Sequence, residues 1–136
     1  MIKAAMLLGL VMLGGCVTSE VRPEVAAVRD LIRLEQPDQV DQIRVLNQLH
    51  YQYLNDHYVS ATQGSRHYLI EFTSRCAALR RGDYTPAMVD TRRDAKYINA
   101  KWDTIRGCPI DRIYSLSAGQ LLEIKQMQDE SLASGR

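Results

Sequence analysis

"YLNDHYVSATQGSRHYLIEF", residues 53–72, sets aromatic and β-branched residues on both sides of Asn55-Asp56, then a Gln63-Gly64-Ser65 turn signal, then Tyr68, Ile70 and Phe72 at alternate positions. Alternation with a period of two places one set of side chains on one face of a strand. Short polar breaks between such runs reverse the chain. The stretch therefore predicts an antiparallel meander of three strands. On such a sheet Tyr51, Tyr53, Tyr58 and Tyr68 serve cross-strand packing in preference to a ligand-stacking platform, because their rings bury well while their hydroxyls stay wet.

Just upstream the period is ambiguous. Ile43, Val45, Leu49, Tyr51 and Tyr53 alternate as a strand would, while Val40, Ile43, Leu46 and Leu49 or His50 also line a helix. Further back, Pro23 stands at a first helical turn, followed by Glu24 and by Val25, Val28, Leu31 and Ile32 at helical spacing, until Pro37 ends the run. This short amphipathic helix is expected to cover the core rather than to lie on a membrane. Downstream, "YINAKWDTIRG" (97–107) is the best hairpin arm in a region of scattered strand-like segments. "CPIDRIYSLS" (108–117) predicts a last strand, with Ile110, Arg112 and Tyr114 on one face and Asp111, Ile113 and Ser115 on the other. Ser117 and Gln120 form a capping box ahead of Leu121, Leu122, Ile124 and Met127, so a C-terminal helix follows, with 128–136 a flexible tail. The expected fold is α+β: a small antiparallel β-meander or sheet with flanking N-terminal and C-terminal helices, in a single globular domain over 23–127.

The start of the chain carries a different signal. Lys3 precedes an uncharged apolar stretch over 4–13, too short for a membrane-spanning helix, which needs roughly 20 residues. The stretch closes on "LGGC" (13–16), which resembles the lipobox of bacterial lipoproteins. The resemblance implies a signal peptide over 1–15, lipidation of Cys16 with diacylglycerol and a further acyl chain such as palmitate, and a lipidated tether over 16–22. Two or three acyl chains, at about 0.8 kcal/mol per buried methylene, make a lasting membrane anchor. Val17 stands where an aspartate would favour the inner membrane, which directs the expectation to the outer membrane, facing the periplasm. A plain signal peptide with an incidental cysteine and a transmembrane anchor are the rival readings.

Lys3 is the only charged residue before Cys16, so 17 Lys+Arg and 16 Asp+Glu in the whole sequence leave a neutral mature chain. No global charge draws it to nucleic acid. The remaining length suits one domain with a real core. With Cys16 lipidated, Cys76 and Cys108 form an exported pair, for which a disulfide is the expected state. A zinc site would need further ligands that His50, His57 and His67 do not supply near either cysteine, and a cysteine nucleophile would need a base such as His67 brought to Cys76 by the fold.

From Arg75 to Arg112 the chain is locally basic: Arg75, Arg80, Arg81, Arg92, Arg93, Lys96, Lys101, Arg106 and Arg112 against Asp83, Asp90, Asp94, Asp103 and Asp111. Arg80, Arg81, Arg92 and Arg93 are the candidate anion-binding residues, facing an envelope polyanion. The alternative is a solvated region with internal ion pairs, and the interleaved aspartates favour it.

"YLIEFTSRCAAL" (68–79), followed by "CPIDRIYSL" (108–116), resembles an uncharacterised family of small bacterial lipoproteins, in which a tyrosine-leucine strand leads to one cysteine and a C-x-I-x-x-I motif carries the other. The resemblance covers roughly 48–116. It implies a lipid anchor and a paired-cysteine β-rich domain, and brings no activity.

There is no G-x-S-x-G elbow, glycine-rich phosphate loop or H-E-x-x-H. No catalytic residue, metal or cofactor is assigned, and an enzyme is the third choice. The first is an envelope accessory or interaction module, anchored in the membrane and presenting its domain to an envelope protein. The second is a binding module for an envelope polyanion or small ligand.

Overall fold

The computed structural model describes residues 21–80, 89–90 and 96–134; the leader 1–15, Cys16, Arg81, Arg92 and Arg93 lie outside them. Helix α1 (Pro23–Glu35) begins on its proline, whose missing N–H costs nothing at a first turn, and ends where Gln36 turns left-handed (φ 46°). Val25, Val28 and Leu31, at helical spacing, are its buried residues.

Two short strands follow, β1 (Asp38–Val40) and β2 (Gln42–Arg44). The expected meander then appears as β3 (His50–Asn55), β4 (Tyr58–Gln63) and β5 (Arg66–Phe72), paired antiparallel. Gly64 supplies the positive φ (59°) that a two-residue reversal between Gln63 and Arg66 requires. A 3₁₀ turn (Ala77–Arg80) leads towards β6 (Val89–Asp90). Then come β7 (Tyr97–Asn99), β8 (Thr104–Ile105), β9 (Cys108–Leu116) and helix α2 (Ala118–Ser134).

Seven of the described strands form one sheet in the order β3-β4-β5-β9-β8-β6, with β1 also on β9; β2 and β7 form a separate antiparallel ribbon. The hairpin signal in residues 97–107 is thus resolved differently from the expectation. β7 turns away to pair with β2, and the tight hairpin is β8–β9, closed by Arg106 and Gly107, both at positive φ as a type I′ reversal demands.

A further correction concerns β9. Glu71 pairs with Arg112 but Phe72 pairs with Ile110, so Asp111 is an extra residue in the strand. That bulge returns Ile110 to the same face as Ile113, and both join one core cluster while Tyr114 and Leu116 join the other. Strict alternation had separated them.

The sheet therefore has two cores. On one face Leu54, Tyr58, Leu69, Tyr114 and Leu116 meet α1 and α2. On the other Val59, Ala61, Tyr68, Ile70, Phe72, Ile110 and Ile113 meet Ile43, Leu79, Ile98, Ile105 and Cys76. The tyrosines divide accordingly: Tyr51, Tyr53 and Tyr68 pack on the second face and Tyr58 on the first.

Cys76 and Cys108 form a disulfide, with Cα atoms 6.2 Å apart, tying the segment after β5 to the start of β9. The capping box is present: Gln120 N–H donates to Ser117 Oγ at 3.1 Å, and Ser117 N–H donates to Gln120 Oε1 at 2.9 Å. Helix α2 runs to Ser134, past the start of the expected tail at 128, because Gln128 is buried and bonded to the sheet. Its Nε2 donates to Leu54 O and its Oε1 accepts from Asn55 Nδ2.

Candidate functional site: an arginine cleft around Asp56

The β3–β4 reversal gathers the most concentrated electrostatics among the described residues. Asn55 shapes it: its Oδ1 accepts from His57 N–H at 2.9 Å and Tyr58 N–H at 3.1 Å, an Asx turn. Its Nδ2 reaches Gln128 Oε1 at 3.2 Å and Glu24 O at 3.4 Å, so one side chain joins the reversal to both helices. Asp56 O accepts from Cys76 N–H at 2.8 Å, which fixes the reversal to the disulfide segment.

The Asp56 side chain is 3% exposed, yet it is charged and fully engaged. Arg80 grips it with two bonds, Nε to Oδ1 at 2.8 Å and Nη2 to Oδ2 at 2.7 Å. Arg75 Nε donates to Oδ2 at 2.8 Å and Tyr53 OH to Oδ1 at 2.7 Å. Arg22 Nη1 stands 3.9 Å from Oδ2 and 4.0 Å from Glu24 Oε1. Arg80 above all, with Arg75 and Tyr53, holds the Asp56 carboxyl well below the usual carboxylate range against the opposing effect of burial. Burial first, and then the bond to Asp56 and its charge, push the Tyr53 hydroxyl up to about 12.

Beside this cluster lies a cleft of about 260 Å³, lined by Val21, Arg22, Glu24, Arg29, Asp56, His57 and Arg75 among others. Desolvation, and then the charge of Arg29, lower the His57 pKa from its ordinary value, so the imidazole is neutral near pH 7. Below α1, Tyr114 OH donates to Glu71 Oε2 at 3.1 Å. Tyr58, paired with Glu71 in the ladder, has its hydroxyl pushed up to about 12 by burial first and Glu71 next.

Of the four arginines expected to bind anions, Arg80 is placed, and its guanidinium is taken by Asp56; Arg81, Arg92 and Arg93 fall outside the described residues. Elsewhere in the basic stretch, Lys101 and Arg112 meet Asp111 at 3.4 and 3.6 Å, and Arg106 Nη1 donates to Ala78 O at 3.2 Å. His67 is bonded to Thr62 Oγ1 through Nδ1, and Cys76 is held in the disulfide, so the two do not form a base–nucleophile pair. Among the described residues no group of three or more His, Cys, Asp or Glu is placed to hold a metal ion. Nor is any described helix long and apolar enough to cross a membrane.

Sequence reasoning missed Asp56, Arg22 and Arg29. Asn55-Asp56 carries the composition of a turn, and the arginines that meet Asp56 lie far along the chain, so nothing local distinguishes it from a solvated turn residue.

Residues 1–132 match the model of a family whose description is a family of unknown function. The chain belongs to DUF6491. The DUF6491 match includes both disulfide cysteines, Asp56 and its arginines, and nearly all of α2. A family with no assigned activity is what the paired-cysteine motifs implied. No curated protein and no solved structure matches the chain.

Proposed function

We propose that the chain is a lipoprotein of the cell envelope, held in a membrane through Cys16, whose disulfide-tied domain acts as an accessory or protein-interaction module. The observation that carries the reading is "LGGC" at 13–16, closing an apolar run and standing a few residues before α1 begins at Pro23. A disulfide between Cys76 and Cys108 suits an oxidising compartment such as the periplasm, and Val17 suits the outer membrane. The domain presents a rigid sheet, and its polar interior is spent on structure: Asn55, Gln63 and Gln128 are each bonded to backbone. We assign it no catalytic role.

The test is direct. Mass analysis of protein from its native membrane should show an acyl increment on Cys16, and Cys16→Ser should leave the membrane fraction. If Cys16→Ser partitions and is processed as the unaltered chain is, the anchor is wrong. Crosslinking in that membrane should then join the domain to one protein in fixed stoichiometry. Crosslinking to glycan or lipopolysaccharide alone would favour the second reading, a binding module, for which the cleft beside Asp56 provides a specific place.

A further inference from the structure

We propose that the cleft formed by Arg22, Arg29, Arg75 and His57 binds the phosphate of a phospholipid headgroup in the membrane that holds the anchor. The inference rests on the lipoprotein reading for its geometry. Val21 and Arg22 line the cleft, and position 22 is six residues beyond Cys16. Six residues span at most about 20 Å of chain, so this end of the domain stays within reach of the headgroup layer.

Charge supports a phosphate. Asp56 is one carboxylate shared among Arg22, Arg75 and Arg80, and Glu24 is 4.0 Å from Arg22, while no described carboxylate stands within ion-pair distance of Arg29. Counting Glu71, whose charge also reaches His57, four guanidiniums against three carboxylates leave a positive excess of one. Arg75 uses Nε alone on Asp56, so its two terminal nitrogens are not spent there. Guanidinium forks match phosphate oxygens, and charge-assisted bonds of this kind are the stronger ones.

Rigidity supports binding over mere attraction. Asp56 is buried and its backbone is fixed to Cys76, so the Nε bond to it holds Arg75, whose side chain is about half exposed, at the cleft and reduces the rotamer entropy left to lose on binding. The space of about 260 Å³ lies just below the range of about 300–1,000 Å³ typical of pockets for drug-sized ligands, which suits a headgroup. The charged groups nearest His57 are Arg29, Asp56, Glu71 and Arg75, with the tyrosine-bonded Glu71 the remaining acid. A phosphate among them adds negative charge beside the imidazole and raises its pKa.

The full chain, in micelles of a phosphate-free detergent and labelled with ¹³C-histidine, can be titrated with short-chain phosphatidylglycerol and separately with inorganic phosphate. The His57 ring signal should move saturably with the lipid while His50 and His67 stay. The double variant Arg22→Gln, Arg29→Gln should bind at least tenfold more weakly at an unchanged melting temperature, with Arg29→Gln alone as the milder control. A response to inorganic phosphate and none to the lipid assigns the cleft to a free anion and overturns the headgroup. No response to either, or a response unchanged in the variants, overturns the site. Mass analysis of the same sample reads the acyl group on Cys16 independently. An anchored chain with an inert cleft thus sinks this proposal alone, and a responsive cleft on an unacylated chain sinks the anchor alone.

Discussion

On one face of the sheet two helices of three turns or more lay Val25, Val28, Leu31, Leu121 and Ile124 onto Leu54, Leu69 and Leu116. On the other, Ile43, Leu79, Ile98 and Ile105 arrive from segments of two to four residues. A long amphipathic helix holds itself in register through its own backbone bonds and needs little else than burial. Segments of two to four residues have no such internal order, and the second face ties them down individually. The disulfide holds the segment after β5; Asp56 holds Arg80 of the 3₁₀ turn; Gln63 holds the 44–47 loop, accepting from Leu46 N–H at 2.8 Å and Asn47 N–H at 3.0 Å and donating to Arg44 O at 3.1 Å. One face is closed by apolar area, the other by a few cross-links over an apolar floor.

The largest expected effect removes the covalent tie. Cys76→Ser with Cys108→Ser opens a loop with a sequence separation of 32, and the chain-entropy account puts the loss at about 3 to 4 kcal/mol. Denaturant unfolding measures it, and a loss under about 1 kcal/mol would mean that the second face holds without its staple.

Leu31→Ala strikes the helix-covered face. Leu31 is 2% exposed, and truncating such a leucine costs about 3 kcal/mol through lost burial and the remaining cavity. The contrast between the faces predicts that this loss is the same, within about 0.5 kcal/mol, in oxidised and reduced protein.

Asp56→Asn should cost about 2 kcal/mol, discounted from a fully buried ion pair because its arginine partners are about half exposed. The pH dependence follows from the direction of the shift. The folded Asp56 carboxyl titrates well below its ordinary value of 3.8, so its contribution is complete above about pH 4 and is lost as pH falls further. Urea midpoints measured from pH 5 down to pH 2 should fall for the unaltered chain and fall less for Asp56→Asn.

Most of the helix-covered face was legible in the sequence because its signals are local. Pro23 and Pro37 bracket a helical period, Ser117 and Gln120 announce a cap, and Gly64 marks a reversal between alternating runs. The second face was not, for physical reasons that can be named residue by residue. Strands as short as β7 and β8 carry no period. The bulge at Asp111 breaks the alternation and so puts Ile110 and Ile113 on one face, where a strict period of two separates them. Asp56 and Gln128 have partners that only the finished topology supplies: Arg75 and Arg80 for the first, Leu54 and Asn55 for the second. The candidate cleft was hidden likewise, since Arg22 and Arg29 at α1 meet Arg75 only through the fold, while the basic stretch drew attention to Arg80, whose charge is already committed.

The smallest effect is Ser117→Ala, which removes the cap of α2 and should cost about 1 kcal/mol, read from thermal unfolding.

The contrast between the two faces is tested most directly by amide hydrogen exchange, compared in oxidised and reduced protein under conditions that keep it folded. The account predicts that reduction speeds exchange in the ribbon of β2 and β7, in β8 and in the 3₁₀ turn by tenfold or more, while the protected amides of α1, α2 and β4 change by less than threefold. Equal acceleration across both sets, or earlier loss of protection in the helices, would contradict it.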